Sequence, residues 1–352
     1  MDKPAHRPHD RPPANAAHRP QKHIRRRSIK MRTLKILAAL AIPALLAAPA
    51  AQAQGKYPEK PIRLIVGSAP GSGPDIIGRM TADRLYETWK QRIIVDARPG
   101  AAGAISADLT LQAIPDGYTW MMLTSQLFVA SQVLPGLKFD LAKDFQSIAL
   151  IGTVPFVLLA NPTLPAKSLK ELIDLAKKSP GKIRYGSAGT GASEHLSGVL
   201  LTQLTGTDML HVPYKGVAQS ITDAIANEVQ ITYAVMPAAL PHIKSGRLRA
   251  LGVTPPKRSP LTPDVPSIGE AVPGYAMYGW YSIVAPTGTP SAIIDQVSAE
   301  VVKAAKEPAF GERLKSLGIE IVAGDRKVLD AWRASEHKRI SELVKVSGAK
   351  AK

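Results

Sequence analysis

The chain has 352 residues, no cysteine and a net charge of +17, from 45 Lys and Arg against 28 Asp and Glu. The lack of cysteine excludes disulfides and thiolate metal sites. Residues 1–53 hold 11 of the basic and 2 of the acidic residues, so 34 basic and 26 acidic residues remain, a net +8. No basic run interleaved with aromatic residues is left, and we expect no nucleic-acid partner.

The N-terminal region has the pattern of an export signal. Residues 31–35 are a short positive segment, residues 36–50 are mostly Leu and Ala, and residues 51–53 (Ala-Gln-Ala) match a small-residue cleavage site. A membrane anchor is the alternative, but the apolar run is broken by two prolines and is short for a span of roughly 20 residues. We predict a signal peptide, a mature start near residue 54 and a periplasmic protein, with Met31 as an alternative start.

Strand and helix patterns alternate along the mature chain. Short apolar runs at residues 64–66, 92–95 and 118–123 are separated by helical patterns, and this β-α-β-α-β order predicts a parallel sheet. Pro155 interrupts the extended run 147–161, which indicates two strands with the chain passing between domains at the join.

A second α/β unit follows the interruption, and about 300 residues usually form two domains. A strand at residues 278–285 would carry the chain back, and we place the last helix, strand and helix on the first domain. A long surface loop is expected over residues 255–273, which contain six prolines. The predicted fold class is α/β with two lobes, lobe 1 from residues 54–156 plus 280–352 and lobe 2 from residues 157–279.

Two glycine-rich segments each follow a strand and precede a helix. They are residues 67–75 (GSAPGSGPD), where Asp75 is predicted to cap the helix, and residues 186–196 (GSAGTGASEHL). Free backbone N–H groups and the positive end of a helix dipole form a natural site for an anion. The alternative for each segment is a plain turn without a ligand. If both helix starts face one cleft, a carboxylate or phosphate could be held from both sides.

Hydroxyl side chains accompany the two segments and the end of the third strand. They are available at Ser68, Ser72, Thr124, Ser125, Ser187, Thr190 and Ser193. In open α/β sheets, ligands collect at the carboxyl ends of the strands. Local capping and turn formation are the alternative role of each hydroxyl.

Enzyme signatures are weak or absent in the mature chain. There is no G-x-G-x-x-G, P-loop or G-x-S-x-G pattern, and the four histidines lack metal-ligand spacing. We therefore predict no cofactor, no metal and no catalytic residues. Glu194-His195 is the single acid–imidazole pair near the proposed cleft, and a histidine that fixes the loop by hydrogen bonding is a plainer role than a general base.

A series of short motifs resembles the substrate-binding receptors of tripartite tricarboxylate transporters, the TctC or Bug family. The motifs occur in order from Tyr57 to the C-terminal helix: YPEKPIRLIV, ARPGAAG, PDGYT, YGSAGTGASEHL, VPYKG, ALPHIKSGRLRALGVT and GW. The resemblance implies a two-domain periplasmic binding protein type II fold with the ligand in the cleft between the lobes. It also implies a receptor that delivers a small carboxylate to a membrane permease, and we expect a monomer.

Carried over position by position, the resemblance implies ligand contacts in both glycine-rich segments and at the third strand's end. The implied ligand-binding residues are Ala69, Gly71, Ser72, Gly73, Asp75, Thr124, Ser125, Ser187, Ala188, Gly189, Thr190, Gly191 and His195. Two positions depart from the family pattern. Pro74 removes one N–H donor at the helix start, and Ala234 replaces an acidic residue that often reads the far end of the ligand. A plain carboxylate, or one with an apolar tail, is therefore favoured over an amino-acid-like ligand.

Two alternative functions remain open on sequence alone. A receptor of this kind can act as a sensor for a membrane histidine kinase, since both roles need only a ligand-dependent surface. An exported enzyme acting on a carboxylate, with His195 as its base, is the other alternative.

Overall fold

Two β-sheets flanked by helices organise residues 57–347, the part of the chain that this computed structural model describes. The predicted export signal, Met31 and the mature start lie outside the described residues. The first sheet, sheet 1, contains six strands: β1 (Ile62–Val66), β2 (Ile93–Ala97), β3 (Thr119–Thr124), β4 (Phe145–Val154), β10 (Gly279–Pro286) and β11 (Glu320–Gly324). Their spatial order is β11-β4-β10-β3-β1-β2.

The first three strands run parallel to one another, as the alternating pattern predicts. β10 lies antiparallel between β3 and β4, and β11 pairs antiparallel with β4. The tail of the chain therefore completes sheet 1. Parallel strands put their carboxyl ends at one edge, so the segments after β1 and β3 emerge side by side.

The second sheet, sheet 2, contains the five strands β5 (Phe156–Ala160), β6 (Arg184–Ser187), β7 (Leu210–Pro213), β8 (Ile231–Val235) and β9 (Arg249–Val253). Their order is β7-β6-β8-β5-β9, with β6 parallel to both of its neighbours and β5 antiparallel to both of its own. Pro155 alone separates β4 from β5, which confirms that two strands in different sheets meet there. The predicted lobe boundaries at residues 157 and 280 stay predictions, because residues 56–352 form one compact unit.

Eleven helices are described between residues 57 and 347, in addition to a 3₁₀ turn at Ala101–Gly103. They are α1 (Gly73–Trp89), α2 (Ala104–Leu111), α3 (Ser125–Val133), α4 (Leu169–Lys178), α5 (Ser193–Thr205), α6 (Val217–Ile225), α7 (Met236–Lys244), α8 (Ile268–Ala271), α9 (Ser291–Lys306), α10 (Pro308–Ser316) and α11 (Arg326–Ser347). The sequence patterns missed α3. They also missed α8, a single turn inside the expected loop, which Ser267 and Glu270 stabilise with a capping box.

The long helix α11 packs on both halves of the chain. Arg333 is buried against sheet 1, where it donates to Ser147 Oγ at 2.8 Å and to the carbonyls of Phe145 and Leu141. Near its end, the buried apolar residues Ile340, Leu343 and Val344 join the core that covers sheet 2. Each fully buried aliphatic side chain contributes about 1.5–3 kcal/mol, so α11 ties the two sheets together.

Candidate functional site

The first loop, L1 (residues 67–72), joins β1 to α1 at the carboxyl edge of sheet 1. Helix α1 begins at Gly73 with Ser72 as its N-cap, so the prediction that Asp75 caps this helix is wrong. Pro74 explains the difference, because its fixed φ suits a first helical turn and sets the helix start before Asp75. Asp75 is instead buried in the first turn, where an acid interacts favourably with the helix dipole.

The carboxylate of Asp75 is satisfied within L1 and α1. It accepts a hydrogen bond from Gly71 N–H at 2.9 Å and two from the Arg79 guanidinium, at 2.9 and 3.0 Å. Arg79 therefore holds the pKa of Asp75 below its usual value. Asp75 therefore fixes the shape of L1 through its bond to Gly71 N–H. It also pairs with the Arg79 guanidinium, which is then not free to bind an anion.

Ser72 carries a polar group of L1 that lacks a partner. Its hydroxyl oxygen is buried, does not cap α1 and forms no hydrogen bond within residues 57–347. A buried hydroxyl left unsatisfied costs about 1–3 kcal/mol, and native proteins rarely keep one without a reason. Gly73 N–H, at the helix start, likewise donates to no acceptor in the described chain. These two neighbouring groups make L1 a candidate ligand contact.

The second loop, L2 (residues 188–192), joins β6 to α5 at the corresponding edge of sheet 2. Ser187 Oγ accepts from Gly189 N–H at 3.1 Å and lies 2.7 Å from His211 Nε2. Ser187 is fully buried, so its hydroxyl supports L2 from below. The N–H of Ala188, in contrast, bonds to no acceptor among the described residues.

Three rings lie beneath L2, with Tyr185 and His195 buried and His211 half-buried. The ring centroids of His195 and His211 are 3.9 Å apart, and the Tyr185 ring lies 5.0 Å from that of His211. His195 Nδ1 accepts a hydrogen bond from Gly191 N–H at 3.1 Å. Burial lowers the pKa of His195 to about 4 and, together with the neighbouring His195, that of His211 to about 3. Both imidazoles are thus neutral near pH 7, and His195 fixes L2 by hydrogen bonding.

Helix α3 provides a third helix start at the same edge of sheet 1. Thr124 ends β3 and caps α3, its hydroxyl accepting from Leu127 N–H at 3.3 Å. Ser125 occupies the first helical position, is buried, and its hydroxyl forms no hydrogen bond with any described residue. Of the predicted pair, Thr124 is therefore engaged in capping, whereas Ser125 has a free hydroxyl.

Tyr281, a residue that sequence analysis did not select, lies near the starts of α1 and α3. Tyr281 on β10 pairs in register with Thr124 at the end of β3. Its hydroxyl lies 3.2 Å from the position that a Cβ on Gly73 would occupy. On the other side, the Glu194 carboxyl of α5 is near enough to raise the pKa of Tyr281, which burial and this carboxyl together bring to about 12. Tyr281 thus lies beside the first residue of α1, and its hydroxyl is close enough to α5 to be affected by the charge of Glu194.

A close approach between L2 and α3 supports the same arrangement. A Cβ built on Gly191 would lie 2.8 Å from Val133 Cγ2, so L2 lies directly against the last turn of α3. Ala69, Gly71 and Thr190 lie on the exposed sides of the loops, while Ser125 and Gly191 are buried where the loops meet. L2 therefore lies beside α3, the helix that begins where β3 ends.

Glu194 is the second residue of this site that was not among the predicted ligand contacts. It lies in the first turn of α5, is 9% exposed, and has no ion-pair partner among the described residues. Burial raises the pKa of its carboxyl to about 7. Its position before His195 was visible in the sequence. Its burial depends on how α5 packs in the fold, which the sequence pattern does not report.

A cavity of about 880 Å³ lies elsewhere, between α3 and α11, and is lined among others by Phe128, Phe139, Arg333 and His337. It contains none of the predicted ligand-binding residues. Within residues 57–347, no group of His, Asp and Glu side chains is arranged to hold a metal ion. None of the helices described there combines the length and apolar character needed to cross a bilayer.

Comparison with known proteins relates the whole architecture to one family. A family model described as "Tripartite tricarboxylate transporter family receptor" matches residues 77–349. The protein BugT of Bordetella pertussis is 32% identical over 324 residues, which cover 91% of this chain and 99% of BugT.

Two solved structures are similar over most of this chain. Rpa4515 of R. palustris, determined with adipate, is 31% identical with a TM-score of 0.73 and covers 83% of this chain and 98% of its own. MatC from Rhodopseudomonas palustris, with bound malate, is 27% identical with a TM-score of 0.69 and covers 82% and 100%. The fold is therefore that of a two-domain periplasmic binding protein, as predicted.

Proposed function

Because this chain belongs to the tripartite tricarboxylate transporter family of receptors, we propose that it captures a small carboxylate in the periplasm and delivers it to the membrane subunits of such a transporter. The structures of two similar proteins contain adipate and malate, both dicarboxylates. The observation that carries the proposal for this chain is the set of unpaired donors at the starts of α1 and α3 and in L2, together with the packing of L2 against α3.

The proposed site holds the anion with backbone and hydroxyl donors. On the side of sheet 1 these are Ser72 Oγ, Gly73 N–H and Ser125 Oγ, and on the side of sheet 2 Ala188 N–H. The starts of α1, α3 and α5 add the positive ends of three helix dipoles. Such an arrangement binds a carboxylate without a lysine or arginine.

The remaining predicted residues divide by role in this proposal. Asp75, Thr124, Ser187 and His195 hold the loops in shape, since their side chains are engaged within the protein. Ala69, Gly71, Gly189, Thr190 and Gly191 supply the loop backbone that surrounds the ligand. A receptor rather than an enzyme is favoured, because the imidazole of His195 is buried and its Nδ1 already accepts from Gly191 N–H.

Binding by the mature protein, from residue 54 onward, tests the proposal. Thermal unfolding is followed with acetate, benzoate, succinate, adipate, malate, citrate and glutamate, with chloride at equal ionic strength as the control. A bound ligand stabilises by RT ln(1 + [L]/Kd), about 2.7 kcal/mol at 100 times Kd. At least one carboxylate should raise Tm by several degrees. If none does, and native mass spectrometry finds no copurified anion, the proposal is wrong.

Delivery and location need separate experiments. Secretion of the full chain into the periplasm, with cleavage near residue 54, is expected on fractionation of cells that express it. Loss of uptake of the bound carboxylate on deletion, restored by the wild-type chain, would support transport over sensing. Uptake that is unchanged, with altered transcription instead, would favour a sensor.

A further inference from the structure

Glu194 is a buried acid without a partner inside a site otherwise built from hydrogen-bond donors. The residue is 9% exposed, and its carboxyl forms no ion pair or side-chain hydrogen bond with another described residue. Buried carboxylates are normally paired or hydrogen-bonded, because removal from water disfavours the charged form. Among Asp75, Glu194 and Glu336, the three buried acids within residues 57–347, Glu194 alone lacks a donor from another residue.

The other buried acids in the described chain show what a compensated carboxyl looks like. Asp75 accepts from Gly71 and Arg79, and Glu336 accepts from Arg339 and from the Trp280 indole. No equivalent donor reaches Glu194, and the guanidinium of Arg79, on the helix that L1 leads into, is already paired.

The position of Glu194 places it beside the proposed ligand. It lies in the first turn of α5, directly after L2, and its charge acts on Tyr281, whose hydroxyl lies near Gly73, the first residue of α1. A carboxylate bound at L2 and the start of α1 would therefore lie near the Glu194 carboxyl. Two negative charges this close repel each other in a site shielded from water.

The titratable groups on the elements packed around α5 do not relieve this repulsion. Tyr185, His195, His211, Tyr233 and Tyr281 have neutral rings near pH 7, and the Arg339 guanidinium on α11 is bound to Glu336. No cation is thus available inside the protein to balance Glu194 and an anionic ligand together.

We propose that carboxylate binding by this protein is linked to the uptake of one proton by Glu194. A solvent proton neutralises the Glu194 carboxylate as the anion enters, and the resulting carboxylic acid can donate a hydrogen bond to the ligand. The proposal rests on the proposed function, since it concerns the same site. The pKa of Glu194, raised to about 7 by burial, makes the exchange accessible near neutral pH.

A ligand that kept Glu194 ionised would give the opposite pH dependence of binding. If Glu194 stayed ionised and accepted a hydrogen bond from a hydroxyl or ammonium on the ligand, bound ligand would lower its pKa. Affinity would then rise with pH and a proton would be released. The sign of the pH dependence therefore separates the two arrangements.

Isothermal titration calorimetry tests the proposal with each carboxylate of the panel above that binds at pH 6. For the wild-type protein, Kd should increase about tenfold between pH 6 and pH 8, because binding takes up a proton and the proton concentration falls as pH rises. At pH 7.5, titrations in phosphate and in Tris should report the uptake of roughly half to one proton per ligand. The isosteric variant Glu194→Gln should bind with a Kd that changes less than about twofold over this range.

Glu171→Gln is the matched control, because Glu171 is also a first-turn acid but lies exposed on α4, away from both loops. This variant should keep the wild-type pH dependence. A Kd independent of pH in the wild type, or equal slopes in the wild type and Glu194→Gln, would overturn proton linkage while leaving carboxylate binding intact. Absence of binding at every pH would instead refute the proposed function itself.

Discussion

The carboxylate of Asp75 and the guanidinium of Arg79 form a two-point ion pair across one turn of α1, with N–O distances of 2.9 and 3.0 Å. The pair joins a buried acid to a half-exposed cation, and the same carboxylate holds the N–H of Gly71. L1 thus owes its shape to a side chain that sequence analysis treated as a helix cap and ligand contact.

Asp75→Asn should destabilise the protein by about 1–3 kcal/mol, because a buried acceptor of three hydrogen bonds is replaced by a weaker one. Arg79 lowers the pKa of Asp75 in the folded state, so this stability is present above about pH 4 and is lost as pH falls further. Urea unfolding at several pH values measures both effects. Asp174→Asn, which breaks an exposed pair with Lys170, is the control and should change neither.

Ser72→Ala should weaken carboxylate binding by about threefold to tenfold, the usual worth of one hydrogen bond. Its unfolding free energy without ligand should rise by about 1–3 kcal/mol, since the removed hydroxyl is buried without a partner in the protein. Ser106→Ala is the contrasting variant, because Ser106 donates to the Gly103 carbonyl at 2.6 Å. It should lose stability and keep its affinity. Equal affinity in Ser72→Ala and the wild type would remove Ser72 from the site.

Gly191→Ala should reduce both stability and ligand affinity. The new methyl would lie 2.8 Å from Val133 Cγ2 on a residue with φ of 78°, so it pushes L2 away from α3. We expect a loss of roughly 2–3 kcal/mol in stability and at least about tenfold in affinity, from overpacking and backbone strain together.

Gly206→Ala serves as the control for Gly191→Ala. Gly206 follows the last residue of α5, the helix that L2 leads into. It also has a positive φ, of 62°, but a Cβ there would meet no other atom. This variant should therefore lose about 1 kcal/mol of stability and keep its affinity for the ligand. The double variant Gly191→Ala with Val133→Ala should regain part of the affinity. If Gly191→Ala binds as tightly as the wild type, contact between L2 and α3 is not required for binding.

His195→Gln should flatten the acid side of the stability profile. Burial lowers the pKa of His195 to about 4, so the unfolded chain binds more protons between about pH 6.5 and 4 and stability falls as pH decreases through that range. The wild type should lose about 2–3 kcal/mol more than His195→Gln over this interval. Above pH 7 the two unfolding curves should run parallel, which provides the internal control. Equal acid slopes would show that His195 is protonated in the folded protein.

Much of the fold followed from local pattern. Pro155 could not donate within a central strand, and the structure indeed divides the run there into β4 and β5. Ser168, a residue type that favours N-caps, caps α4, and its hydroxyl accepts from Glu171 N–H at 3.2 Å. Helix α3 was missed because its short apolar sequence follows β3 without a glycine or proline to mark the boundary.

Of the candidate site, only the residues of the two loops and of the third strand's end were predicted from the sequence. Loop composition and the family resemblance selected the residues around Ser72 and Ser187, whereas Tyr281 enters through the antiparallel pairing of β10 with β3, more than 150 residues apart in sequence. Glu194 was read together with His195, but its isolation depends on burial, which the sequence pattern does not report. The predicted capping role of Asp75 failed because Pro74 sets the N-cap three residues earlier, at Ser72.

Pro155 limits how far β4 and β5 can separate. It is the entire connection between β4 in sheet 1 and β5 in sheet 2, and its carbonyl accepts from the N–H of Met236 at 3.0 Å. A single residue spans at most about 3.6 Å, so the end of β4 and the start of β5 cannot move apart there. If the two sheets change their relative angle when the proposed ligand enters, β4 and β5 must therefore stay adjacent at this proline.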